Sequence, residues 1–403
     1  MIIIREKAGK KPFWVTELQG GNVTASGYVP FCPSRQEISQ YLWTDIASGC
    51  KGAIFWTLNA RKAVIEADEW AMLDFLNQPS DRLLAASEVA RTVKANKEIF
   101  HDAVPAKSPI AILYNNESLA IQRRNSSAVK DDTNEARKST AIIRSVISAY
   151  EAISAFGMTP AIASMEYFEW DPDKYPAIII PNSISMPRAY CDSVINYVRS
   201  GGKAIVTGLT GFYDEDMRCS MMGGFPLEEC FGGLISEFKV TDKYFNLNID
   251  IADSIIPAHL WRGIIQPDKA KSIGKYGNDI CATHNKFGQG EVYWIPSLIN
   301  LGAYLRDNSG LINLYGILLN DELKKQPVRF EKPEQGILMR VTSTPKYMVS
   351  FIINTTSTPR TLYLMTAPEL KSGKAIHPQG LFLDKGSLTI APGEVAICRW
   401  DMK

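Results

Sequence analysis

Histidine is scarce in this chain: four residues, His101, His259, His284 and His377, are spread over 403 positions. None has a second histidine or a cysteine at ligand spacing, so no metal site is expected. The glycine pairs Gly20-Gly21 and Gly201-Gly202 lack the spacing of a phosphate-cradling loop, so no nucleotide cofactor is expected. No CxxC pair occurs among the seven cysteines, Cys32, Cys50, Cys191, Cys219, Cys230, Cys281 and Cys398. An odd, dispersed set predicts buried thiols in a reducing compartment. No run reaches the roughly 20 apolar residues of a membrane span, and Met1 to Lys11 has no apolar signal core. Charge of either sign is not in excess, with Lys plus Arg at 44 and Asp plus Glu at 43. That balance removes the electrostatic case for nucleic acid or an anionic membrane as partner. The absences together predict a cytoplasmic chain with neither metal nor cofactor.

What is present is ordinary globular material, 45% hydrophobic and 22% charged, enough for two or three domains. Residues 1–98 read as strand, helix, strand, helix. Phe13 to Glu17 is a strand ended by Gly20-Gly21. Ser34 and Glu37 form a capping box for a helix with Ile38, Tyr41, Leu42 and Ile46 on one face, stopped at Gly49. Gly52 to Thr57 is a second strand, and Ser80 to Phe100 a long helix with Leu83, Ala86, Ala90 and Val93 inward. This is the βαβ rhythm of a parallel sheet or barrel.

Residues 105–325 repeat the α/β alternation. Strands are expected at 110–114, 159–163, 177–181, 203–207 and 292–296, with helices at 134–156, 187–200 and 309–323. The apolar run Ala177 to Pro181 suits a strand buried on both faces. A doubly wound, flavodoxin-like domain is predicted. Beyond Gln326-Pro327, residues 328–403 hold short β runs separated by Thr, Ser, Pro and Gly, the pattern of a small antiparallel β-sandwich.

Chemistry concentrates near the start. Glu17 ends the first strand, followed by Leu18-Gln19-Gly20-Gly21. In a (β/α) barrel the carboxyl ends of the strands build the active site, and a carboxylate there can attack an anomeric carbon. It can equally cap a helix or pair with a base. Trp56 ends the second strand, in Ile54-Phe55-Trp56-Thr57, where a barrel presents an aromatic platform for a sugar. It can equally be a core tryptophan. The acids Glu66, Asp68 and Glu69 follow in the loop.

With these residues in hand, the chain resembles the C-terminal part of family 42 glycoside hydrolases, the β-galactosidases. The strands holding Glu17 and Trp56 look like the seventh and eighth of the family's barrel. The resemblance implies Glu17 as nucleophile, in the pattern Glu17-x-Gln19-Gly20, with Trp56 and Glu66 contacting the sugar, a terminal β-linked galactoside. Pro109 to Tyr114, Ala177 to Gly211 and the turn Asn285 to Val292 resemble the family's trimerisation domain, which is similar to class I glutamine amidotransferases without their chemistry. The implied partner is a second and third copy of the chain. The family's acid/base lies on the fourth strand in an Asn-Glu pair. The pairs Asn116-Glu117 and Asn134-Glu135 fall in the second domain, so that role is not transferred. Two functions follow as expectations: part of a retaining β-galactosidase, or a non-catalytic oligomerisation scaffold derived from one.

Overall fold

A computed structural model of the chain describes residues 12–24, 29–63, 66–126, 134–240 and 242–403. The chain divides into two compact units, Met1–Lys107 with Pro327–Lys403, and Ser108–Gln326. The first begins with β1 (Phe13–Gln19), α1 (Arg35–Ala47), β2 (Cys50–Trp56) and α2 (Asp81–Ala95). The strands pair in parallel as a two-stranded sheet. The expected capping box is present: Ser34 Oγ accepts from the Glu37 amide, and the Glu37 carboxylate accepts from the Ser34 amide at 2.7 Å.

The long helix expected from Ser80 to Phe100 is shorter. It ends at Ala95, where Asn96 leaves helical dihedrals (φ −123°, ψ 38°), and only a short turn, Lys97–Phe100, resumes. Its buried line is Ala85 and Val89; Ala90 is exposed, and Leu83, Ala86 and Val93 are half-buried. The helix packs on α1 along the Ala85–Val89 line. Its second apolar stripe, Ala86, Ala90 and Val93, borders an open hollow together with Ala53 and Phe55 of β2.

Unit 2 opens with β3 (Ile110–Tyr114), α3 (Asn116–Arg124), α4 (Ala141–Ser154), β4 (Ala161–Ser164), β5 (Ala177–Pro181), α5 (Arg188–Arg199) and β6 (Lys203–Thr207). Residues 135–137, expected inside the helix of α4, form a separate 3₁₀ turn. Six strands not read from the sequence follow: β7 (Gly233–Lys239), β8 (Tyr244–Ile249), β9 (Ser254–His259), β10 (Arg262–Pro267), β11 (Lys271–Tyr276) and β12 (Asp279–Phe287). The unit closes with β13 (Gly290–Ile295), α6 (Ile299–Leu305) and α7 (Ser309–Leu318). β7 and β10 form their own antiparallel ribbon. The other strands make one nine-stranded sheet in the order β9-β8-β11-β12-β13-β6-β5-β3-β4. From β13 to β4 all neighbours are parallel, which is the flavodoxin-like order extended on one side by an antiparallel meander. One face is buried under α4, α6 and α7, with Ile153, Leu311 and Tyr315 at its centre. The other is filled by Tyr197, Phe231 and Trp294.

The chain then returns to unit 1 as β14 (Val328–Phe330), β15 (Ile337–Ser343), β16 (Tyr347–Asn354), β17 (Arg360–Thr366), β18 (Leu370–His377), β19 (Ser387–Ile390) and β20 (Val395–Met402). A five-stranded sheet, β18-β20-β16-β15 with Val104–Pro105 at its edge, faces a three-stranded one, β14-β17-β19. Phe330, Leu362, Leu388 and Trp400 fill the space between them. The outer face of the larger sheet is covered too. Val349, Phe351, Ile353 and Ile397 pack against Trp43 and Ala47 of α1 and against Ile99 and Phe100. Residues 1–98 and 328–403, distinct in sequence texture, thus share one apolar core.

Candidate functional site

The pairing of β1 with β2 decides which side chains meet. Phe13 pairs with Cys50, Val15 with Ala53, Leu18 with Phe55 and Gln19 with Trp56, with two irregularities: between Phe13 and Val15 the extra residue is on β2, and between Val15 and Leu18 it is on β1. Paired residues of parallel strands point to the same face, and alternate residues share it. Glu17, Gln19, Ile54 and Trp56 therefore lie on one face of the sheet, at its carboxyl end. Gln19 Nε2 donates to Glu17 Oε1 at 2.9 Å. This face also exposes Trp14, Ile54 and Trp56 to solvent. Among the described residues these two strands pair with each other alone, which leaves unpaired backbone along both edges of the sheet.

Of the expected site residues, the structure brings Glu17 and Trp56 to adjacent strand ends and joins Glu66 to Trp56 indirectly. The link is Arg61, which sequence reasoning missed. Its guanidinium stands 4.5 Å from the centre of the Trp56 ring, and its Nη1 lies 2.7 Å from Glu66 Oε2. A cation over an indole face is attracted by the ring quadrupole. The sequence signal was an arginine between the tryptophan and the acid, but helical or strand periodicity says nothing about a loop residue folding back.

The loops after the two strands are stitched together. The Trp70 amide donates to the Asn22 carbonyl at 2.8 Å, and Arg82 Nε donates to the Gly20 carbonyl at 2.9 Å. Glu69 is buried, and its carboxylate accepts from the Thr24 amide and hydroxyl at 2.7–2.9 Å. Glu69 is thus a structural acid of this loop. Gly21 is required by the same approach: a Cβ there would come within 2.2 Å of the Ala71 backbone. The hollow between α1, α2 and β2, about 540 Å³, lies elsewhere; it is lined by Ala53 and Phe55, which alternate with Ile54 and Trp56, and so opens on the opposite face. Among the described residues no group of three His, Cys, Asp or Glu side chains is gathered to hold a metal.

In unit 2 the crevice at the carboxyl ends of β3 and β5, where doubly wound sheets commonly bind ligands, is filled by its own polar groups. Buried Asn115 donates to the Ser185 carbonyl at 2.9 Å and accepts from the Ser118 amide at 2.7 Å. Burial pushes the thiols of Cys191 and Cys230 up to about 12, far from the thiolate a nucleophile needs. Glu135 pairs with Lys138 and Arg144, and Glu117 sits on α3 in this same unit.

Unit 2 is, in class, a doubly wound domain. Residues 108–322 match the family described as the β-galactosidase trimerisation domain, and the chain belongs to it. The chain is 24% identical over 313 residues to the β-galactosidase BgaA of Clostridium cellulovorans, a match covering 73% of this chain and 44% of that protein. It superimposes on the β-galactosidase of Rahnella sp. R3 with a TM-score of 0.80 at 17% identity, over 100% of this chain and 56% of the other. The β-galactosidase of Bacillus circulans sp. alkalophilus gives 0.78 at 17% identity, over 96% and 55%. The chain spans about half the length of these relatives. It is related to family 42 β-galactosidases and has the fold of their C-terminal portion.

Proposed function

We propose that this chain is the nucleophile-bearing C-terminal portion of a retaining β-galactosidase, acting on terminal β-galactosides in the cytoplasm. The observation that carries the reading is the register of β1 and β2, which sets Glu17, Gln19 and Trp56 on one open face at the carboxyl end of two parallel strands. Glu17 attacks the anomeric carbon, and Gln19 fixes its carboxylate. Trp56 stacks on the sugar with the ring face that Arg61 leaves free, and Glu66, steered by Arg61, accepts from sugar hydroxyls. A retaining enzyme needs a second carboxyl group about 5–5.5 Å from the first to protonate the leaving group. In this reading that acid comes from barrel strands other than β1 and β2. Five of the seven expected buried thiols are buried, whereas Cys219 is half-buried and Cys32 exposed; all seven are free, which suits a reducing compartment. The family of unit 2 supports self-association into a homotrimer.

A second reading, a scaffold that oligomerises without turnover, is favoured by the open edges of the two-stranded sheet. One experiment separates them. A 2-deoxy-2-fluoro-β-galactoside with a dinitrophenolate leaving group needs no acid to depart and traps a glycosyl-enzyme. Mass spectrometry should find the label on Glu17, and Glu17→Gln should abolish it. Hydrolysis of an ordinary nitrophenyl β-galactoside should fall short of family rates by at least about 10²–10⁴-fold for want of the acid. A label on another carboxylate, or none at millimolar reagent, overturns the enzymatic reading and leaves the scaffold.

A further inference from the structure

Unit 2 has a hollow of about 380 Å³ on the face of its nine-stranded sheet that α7 covers. That volume falls within the range of about 300–1,000 Å³ usual for small-molecule sites. The floor comes from four strands that neighbour one another: Ile273 on β11, His284 on β12, Glu291 and Tyr293 on β13, and Lys203 on β6. The register gathers them, since His284 pairs with Tyr293 and Glu291 with Lys203. The walls are Ile251 of the turn Asp250–Ala252, Ile317 of α7, and Asn320 and Asp321 just beyond that helix.

The polar groups of the floor fix one another. Tyr293 Oη donates to Glu291 Oε2 at 3.3 Å, and His284 Nε2 lies 2.9 Å from the same oxygen. The two rings stack at 4.5 Å with 17° between their planes. The hydrogen bond from His284 holds the Glu291 carboxyl below its usual range, and Lys203 pulls the same way against the cost of burial. Burial pushes the Tyr293 phenol up to about 12, so it keeps the proton it donates. A carboxylate only accepts, so the imidazole proton sits on Nε2, and Nδ1 of the neutral ring is an acceptor. Among the described residues no group donates to that Nδ1, and Glu291 Oε1 has only Lys203, 3.9 Å away. Lys203 directs its ammonium to the Leu318 carbonyl at 2.7 Å and to Glu322 at 3.3 Å. Asp321 adds an exposed carboxylate at the rim.

The hollow therefore offers acceptors between apolar walls, which suits a ligand rich in hydrogen-bond donors. Charge decides which kind. Lys271 pairs with His284 and Lys286 with Glu291, and both lysines are exposed. Lys203, Lys271 and Lys286 together offset Glu291, Asp321 and Glu322, so an ammonium ligand gains little from the local field. A neutral polyol loses nothing by that balance. A sugar ring has donating hydroxyls at its edge and C–H groups on its face, and Ile251 and Ile317 expose methyl surface to meet the latter. We propose that this hollow of unit 2, built without Glu17 or Trp56, is a saccharide-binding site that takes a neutral hexose, with hydroxyls donating to Glu291 Oε1, His284 Nδ1 and Asp321.

The test is calorimetric titration of galactose into the full chain. Binding should saturate in the millimolar range, and the ring protons of His284 should shift in NMR spectra as it does. His284→Phe keeps a ring against Tyr293 and removes Nδ1, and Asp321→Ala removes a carboxylate at the surface. Each should weaken binding about tenfold, the worth of one hydrogen bond to such a group, with circular dichroism unchanged; if His284→Phe loses its fold, Glu291→Gln replaces it. Trp56→Ala should leave this binding as it is, and 1,4-diaminobutane should bind more weakly than galactose. No saturation, or binding that leaves the His284 signals unmoved, overturns the site. Tighter binding of the diamine overturns the ligand class. Binding lost in Trp56→Ala but kept in both unit 2 variants puts the sugar on Trp56, which ends this inference and leaves the glycosidase reading standing. A failure of Glu17 to take the fluorosugar label bears on that reading alone.

Discussion

The indole of Trp43 on α1 lies 6.0 Å from the ring of Phe351 on β16, ring centre to ring centre, joining residues more than 300 positions apart in one core. Trp43 is completely buried and also packs on Phe100 at 5.8 Å and on the His377 ring at 5.2 Å. The helix following β1 is therefore anchored by the C-terminal sheet, while β1 itself pairs, among the described residues, with β2 alone.

Trp43→Ala should cost about 3–5 kcal/mol, as for large aromatic truncations in a core that cannot collapse. Urea denaturation followed by circular dichroism measures it. Because the cavity would open in a core shared by α1 and β16, amide signals from both should be lost in one transition. Separate transitions for residues 35–47 and 347–354 would show that the two segments fold independently.

Hydrogen exchange should divide the N-terminal segment. The amides of β1 and β2, in a pair with open edges, should exchange well before those of β5 and β6, each paired on both sides inside the larger sheet. The amides of α1 around Trp43 should be protected to an intermediate or higher level. Equal protection of β1 and β5 in a monomer would mean that the two-stranded sheet is self-sufficient.

Asp45 supplies a pH dependence. Burial raises its carboxyl to about 6, against the pull of the Arg340 guanidinium. A raised acid means that the native state holds its proton where the unfolded chain, titrating at 3.8, has released it. Stability from this group is full below about pH 4 and declines as pH rises through about 6. Asp45→Asn should therefore stabilise the chain at pH 7, by at most about 2–3 kcal/mol, and change little at pH 4. Thermal melts of both forms at the two pH values check it, and a variant less stable at pH 7 than the parent would reverse the sign.

Much of the architecture was legible in local patterns. Ser34 and Glu37 announced their capping box three residues apart, and the apolar run Ala177 to Pro181 announced a strand covered on both faces, because each signal is written within one turn or one strand. The first strand of the meander from β8 to β12 carries a local signal too: Phe245, Leu247 and Ile249 alternate with Asn246 and Asn248, and only the latter pair faces outward. The buried line of α2 was not legible. Ala85-Val89 and Ala86-Ala90-Val93 are both apolar stripes, and the choice between them belongs to the helix packed against them.

By itself the sequence determined the two βα units, the doubly wound domain, the β-rich C-terminal part, and Glu17 and Trp56 as strand-end residues. Only the tertiary structure decided that an irregular register turns Glu17 to the same face as Trp56, that Arg61 folds over the indole to hold Glu66, and that Trp43 is buried against Phe351. The reason is physical. Helix caps and strand alternation depend on neighbours within a few positions, whereas facing, stacking and burial depend on which distant backbone arrives alongside.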